Sequence, residues 1–256
     1  MITRLELEKY LNEYLLVENF SDYCPNGLQV EGKSNIKKIV TGVTASKLFL
    51  DKSLEAGADA IIVHHGYFWK GESEVITGVK KNRLSLLLSN DINLFAYHLP
   101  LDCHEGLGNN AEIAKLLGFN IKGVLTKHYG AEVGNFGELE SELEAEAFSN
   151  LILEKLGRKP LYLAGSENGS SRKIKKVAWC TGAAQGFIEE AAKQNVDAYL
   201  SGEVSEKTTH LARELGVDYF ACGHHATERY GVLALGKHLA DKFSIEHEFI
   251  DVDNPV

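Results

Sequence analysis

Two adjacent histidines, His64 and His65, close the apolar run Ala60-Ile61-Ile62-Val63. Such a run reads as a strand buried on both faces, and in open α/β sheets ligands gather at the carboxyl ends of the strands. Neutral imidazole is a common ligand for transition metals. Three further polar groups follow apolar runs in the same way: His98-Leu-Pro-Leu-Asp102, Gly202-Glu203, and Gly223-His224-His225 with Glu228 beyond it. A helix starting near Gly223 would set His224 and Glu228 on one face, with Cβ atoms about 5–6 Å apart. His64, His65, Asp102, His224 and Glu228 therefore form a candidate ligand set. Three imidazoles and two carboxylates are too many for one tetrahedral zinc with an open position, and they suit two divalent ions about 3.5–4 Å apart. Nitrogen and oxygen donors without thiolate fit iron, manganese or zinc without choosing among them.

Each piece also has a plain reading. Asp102 alone is a helix cap or turn residue, and His224 with Glu228 a solvated first helical turn. What favours metal is their coincidence at matching points of an internal repeat. His98, His225, Glu203 and His210 are candidates for supporting the ligands or moving protons, with His98 and His225 as the catalytic pair. His104, His128, His238 and His247 read as surface or core residues.

The elements that must position these groups come from that repeat. Residues 37–66 align without a gap on residues 175–204: Lys37, Lys38, Ala45, Phe49, Asp59 and Ala60 meet Lys175, Lys176, Ala183, Phe187, Asp197 and Ala198. Both copies read strand, helix, Asp-Ala, strand. A helix (about 79–89 and 206–215) and a third strand (92–98 and 217–224) follow in each. Strands alternating with helices imply right-handed crossovers and mainly parallel sheets. The expectation is an α/β protein of two related halves, residues 1–125 and 126–256, with the metal site in the cleft between them. The intervening stretch, about 123–172, reads as an acidic helix (ESELEAEAFSNLILEKLG) and a polar loop (SENGSSRK). At the start, Thr3 and Glu6 are spaced as a capping box on an amphipathic helix.

Composition narrows the classes. With 256 residues, 44% apolar and 25% charged, the chain is an ordinary globular protein long enough for two domains. No apolar run is long enough to span a membrane, and acids interrupt the first apolar stretch, which argues against a signal peptide. Cys24, Cys103, Cys180 and Cys222 form no paired spacing and read as thiols in a reducing cytoplasm. The net charge of −9 speaks against a groove for duplex nucleic acid, as does the lack of any Lys/Arg run longer than two. A small molecule is the favoured partner.

The motifs SDYCPNGLQVEG, VTGVTAS, ADAIIVHHGYFWKG, HLPLD followed by GLGNN, SGEVSEKTTH and GHHATERYG together resemble the Nif-three-like dinuclear-metal proteins, many of which carry the name GTP cyclohydrolase 1 type 2 homolog. The resemblance runs nearly end to end and is closest to the short bacterial members. It implies five metal ligands, at His64, His65, Asp102, His224 and Glu228, and a toroidal hexamer built from dimers. The chemistry it implies is hydrolysis, with hydroxide attacking a purine ring at C8 and His98 or His225 moving protons. A metallophosphoesterase or nuclease would use the same ions, and a non-catalytic metal-held scaffold is the third reading. Tyr67, Phe68 and Trp69 either stack on a base or pack their loop onto the core.

Overall fold

The computed structural model describes residues 1–128, 130–166 and 173–256. Most of the polar loop SENGSSRK lies outside them. The chain forms two compact units: Met1–Gly108 with Gly231–Asp253, and Asn109–Tyr230 with Asn254–Val256.

The first unit is built on a five-stranded sheet in the order Glu246–Phe249, Lys38–Thr44, Ala60–His65, Asn93–Ala96, Gly27–Val30. The first four strands are parallel and the last is antiparallel. Ile62 packs with Leu7, Leu11, Phe95, Leu235 and Leu239 in one core cluster, while Ile61 and Val63 pack with Phe49, Leu50 and Leu94 in another. Alternate residues of one strand thus serve two apolar faces, which is why its sequence is continuously apolar rather than alternating. The helix Arg4–Tyr14 starts with the expected capping box: the Glu6 N–H donates to Thr3 Oγ1 (3.3 Å) and the Thr3 N–H to Glu6 Oε2 (3.0 Å).

The second unit carries a six-stranded sheet in the order Phe119–His128, Ala131–Leu143, Ile174–Cys180, Ala198–Ser201, Asp218–Ala221, Leu161–Leu163. Its third, fourth and fifth strands are parallel, and the others join them antiparallel. Phe148, Ile152, Trp179, Leu200 and Phe220 fill its core.

The repeat extends to hydrogen bonds. Asp59 Oδ2 accepts from the Lys37 and Lys38 N–H groups (2.9 and 3.2 Å), and Asp197 Oδ2 from those of Lys175 and Lys176 (3.0 and 2.8 Å). In each unit the same carboxylate, just before the second strand, satisfies the backbone donors where the first begins.

Two expectations differ from the structure. The acidic helix is shorter than read: Glu140–Leu143 end the strand Ala131–Leu143, and the helix runs Ala145–Leu156 with Gly157 left-handed after it. Glutamate and leucine favour helix, but pairing of Leu143 with Ile174, across an irregularity in the register with Ile174–Cys180, overrides that local preference. The units also part earlier than residue 125, because Ile113, Leu117 and Phe119 belong to the second core, and Val232, Leu235 and Leu239 to the first. Among the described residues no helix is long and apolar enough to cross a membrane, and no cysteine is in a disulfide.

Candidate metal centre

In the first unit the strand Ala60–His65 ends by delivering both histidines. His64 is fully buried, and its Nδ1 lies 2.9 Å from the Tyr97 carbonyl oxygen. A carbonyl only accepts, so Nδ1 carries a proton, and in the neutral ring the lone pair is on Nε2. That Nε2 is 3.5 Å from Asp102 Oδ1, on the short helix Leu99–Cys103. His65 Nδ1 is 3.2 Å from Thr44 Oγ1 on the neighbouring strand. Nitrogen atoms of His64, His65 and His98 all lie within 4.8 Å of one another. His98 is held from behind by Asp22, whose Oδ1 is 3.0 Å from His98 Nδ1. Burial alone would raise the Asp22 carboxyl, but hydrogen bonding and attraction from His98, with donors from Asn26 and Leu99, outweigh it and hold it down at about 2.

In the second unit His224 opens the helix His224–Phe243, just past the strand Asp218–Ala221. Its Nδ1 is 2.7 Å from Glu203 Oε1 and its Nε2 is 3.1 Å from Glu228 Oε2, one helical turn on. Burial favours the neutral ring, but the Glu228 and Glu203 carboxylates prevail and push its pKa up to about 9. A cation arriving at Nε2 would therefore displace a proton. Glu228 is buried, and Gly182 lies against it: a Cβ there would overlap Glu228 Oε1 and sit 3.2 Å from His224 Nε2. Gly182 also has φ +68°, in the left-handed region, so two independent constraints require glycine.

The donor sets fit divalent cations. Two ligand atoms about 2.1 Å from one ion, at angles of about 90–110°, lie roughly 3.0–3.4 Å apart. The His64–Asp102 and His224–Glu228 separations of 3.5 and 3.1 Å are close to that edge length. Both imidazoles are also oriented at Nδ1 by an oxygen acceptor, as metal-ligating histidines usually are.

The structure thus brings His64, His65, His98 and Asp102 together in the first unit, and His224 and Glu228 with Glu203 in the second. His225 is buried beside His224, its N–H donating to the Val256 carbonyl (3.0 Å). His210 stands apart, exposed next to Glu206. Of the three consecutive aromatics, Tyr67 is core, its hydroxyl donating to the Ala45 carbonyl (2.7 Å), and Phe68 is exposed under the Lys80 ammonium. Trp69 alone faces the histidines, with ring centroids 5.1 Å from His98 and 5.9 Å from His65. Sequence reasoning missed Asp22 and Gly182. Gly182 had a signal, since the repeat pairs it with Thr44, which touches His65.

The family model described as Duf34/NIF3 (NGG1p interacting factor 3) matches residues 2–255. A protein of Escherichia coli (strain K12) named GTP cyclohydrolase 1 type 2 homolog is 51% identical over 250 residues, covering 98% of each chain. A solved structure of protein ybgI, described as of unknown function, superposes with a TM-score of 0.95 at 50% identity over 100% of both chains. TTHA1606 from Thermus thermophilus does so with a TM-score of 0.87 at 32% identity, again over 100% of both.

Proposed function

The chain belongs to the Duf34/NIF3 family, and from that premise we propose that it is a metal-dependent hydrolase holding two divalent ions through His64, His65, Asp102, His224 and Glu228. One observation supports this reading above others: His64 and His224 are each fixed at Nδ1 by an oxygen acceptor and each present Nε2 beside a carboxylate. Such ions, when bound, bring a water to near-neutral pKa and polarise the group it attacks.

The chain's own residues supply the rest. His98, backed by Asp22, accepts a proton and returns it to the leaving group, and His225 is the second imidazole assigned to proton movement. Glu203 keeps the His224 ring oriented. Trp69 offers a flat face beside His98, suited to a heteroaromatic ring. The substrate class is a small molecule, and the relatives' name points to a purine nucleotide, opened hydrolytically at C8 with release of formate. Assembly as a toroidal hexamer of dimers and a cytoplasmic location belong to the same proposal.

The test is anaerobic purification with metal analysis, then an unbiased metabolite screen comparing the native protein with Glu228→Ala. Metal-dependent hydrolysis lost in the variant supports the proposal. Phosphate release in place of formate would shift the substrate bond to a phosphoester. Bound metal with no turnover of any nucleotide, phosphoester or lactam would refute a hydrolase and leave a metal-held scaffold.

A further inference from the structure

The segment Asp22-Tyr23-Cys24-Pro25-Asn26 has no role in the ligand set, yet it builds a heavily hydrogen-bonded carboxylate beside the histidines. The Asp22 side chain is 2% exposed. Its Oδ1 accepts from the Tyr23 N–H (2.7 Å) and lies 3.0 Å from His98 Nδ1. Its Oδ2 accepts from Asn26 Nδ2 (3.0 Å) and the Leu99 N–H (3.0 Å). An ionised carboxylate has about four lone-pair positions, and here four N–H donors take them, with the Cys24 thiol as a further hydrogen-bonding neighbour. Asp22 therefore has no position left for a cation, although Asp22, Cys24 and His98 are close enough to form a donor trio.

An acceptor-only carboxylate dictates the tautomer of its partner. His98 Nδ1 must carry the proton, so the neutral ring's lone pair is on Nε2. The His98 backbone N–H donates to Asn26 Oδ1 (2.7 Å), and the ring lies against the edge-on rings of Tyr23 and Trp69 at 5.0 and 5.1 Å. We propose that Asp22 is a positioning residue, which locks His98 in the Nδ1–H tautomer and presents Nε2 as a proton acceptor next to the His64–His65 pair. The proton's use in hydrolysis rests on the function proposed above. The tautomer does not.

The experiment is long-range ¹H–¹⁵N NMR on the full-length, ¹⁵N-histidine-labelled, zinc-loaded protein, with His98 assigned by its loss in His98→Gln. Expected is a protonated Nδ1 and an unprotonated Nε2 at His98, with Asp22→Asn shifting the ring toward Nε2–H while zinc content stays at the wild-type level. The asparagine would set an N–H against the Tyr23, Asn26 or Leu99 donors, or against the Nδ1 proton, so the wild-type tautomer loses its advantage. Three results would overturn the proposal: an Nε2–H tautomer in the wild type, an Nε2 shift showing bound zinc, or an unchanged tautomer in Asp22→Asn. The wild-type spectrum decides even if that variant does not fold. A protein that binds none of zinc, iron or manganese but shows the Nδ1–H tautomer would refute the hydrolase reading and leave the Asp22 assignment standing.

Discussion

Gly182→Ala separates a site built for cations from a cluster that is only well packed. At φ +68° an alanine costs about 1–2 kcal/mol in backbone strain. The new Cβ would also overlap Glu228 Oε1, and ordinary contact is restored only if that carboxylate retreats by about 1 Å. The group that must yield is the far end of a side chain, so the fold survives. The group is also the proposed ligand, and metal sites tolerate errors of only about 0.2 Å. The matched control is Gly57→Ala, whose φ of +74° carries the same strain while nothing lies within 4 Å of its Cβ. Both variants should melt a few degrees below the wild type, since 1 kcal/mol is worth about 2–4 °C in a chain of this size. Metal titration by calorimetry should divide them: Gly182→Ala loses at least roughly 10-fold in affinity, by analogy with disturbed supporting shells, and Gly57→Ala loses none. Equal affinities in the two variants would contradict a cation held by Glu228.

Three further outcomes follow from the same geometry. Glu203→Ala removes the acceptor at His224 Nδ1 and should weaken metal binding about 10- to 100-fold with little effect on melting, as read by competition with a chromophoric chelator. The Asp22 carboxyl is held at about 2 in the folded chain, below its ordinary 3.8, so it lends stability that is fully present above about pH 4 and is lost as the pH falls toward 2. A shift of that size corresponds to about 2 kcal/mol, so denaturant melts of wild type and Asp22→Asn should differ at pH 7 and draw together at pH 2. Removing metal with a chelator should lower the melting temperature, by about 2.7 kcal/mol of stability at a metal concentration 100 times Kd, and an unchanged melt would argue against a bound cation.

What the sequence shows and hides has physical causes. The duplicated strands are plain because Ile61-Ile62-Val63 and Val177-Ala178-Trp179 are buried on both sheet faces and cannot be polar. The candidate ligand set is visible because His64, His65 and His224 stand at or just past strand ends, with Asp102 and Glu228 on the helices that follow. The antiparallel additions are not visible: Phe119–His128 is largely exposed and shows no clean alternation, and Leu161–Leu163 is three residues long. Glu140–Leu143 looks helical because only the non-local pairing of Leu143 with Ile174 makes it the end of a strand. Asp22 escapes notice because its meaning depends on His98, 76 residues away. Gly182 escapes because a glycine's role is to be absent, and only the neighbouring carboxylate reveals what must be kept out.

Whether the chain holds a pair of cations is decided by the metal content per chain of the wild type, Asp102→Ala and Glu228→Ala, each purified without oxygen and dialysed to equilibrium against the same divalent metal. Two ions are expected in the wild type and a clear deficit in both variants, with the folds intact by circular dichroism. A wild type that retains no metal, or a Glu228→Ala variant that keeps its full complement, would contradict the two-ion site.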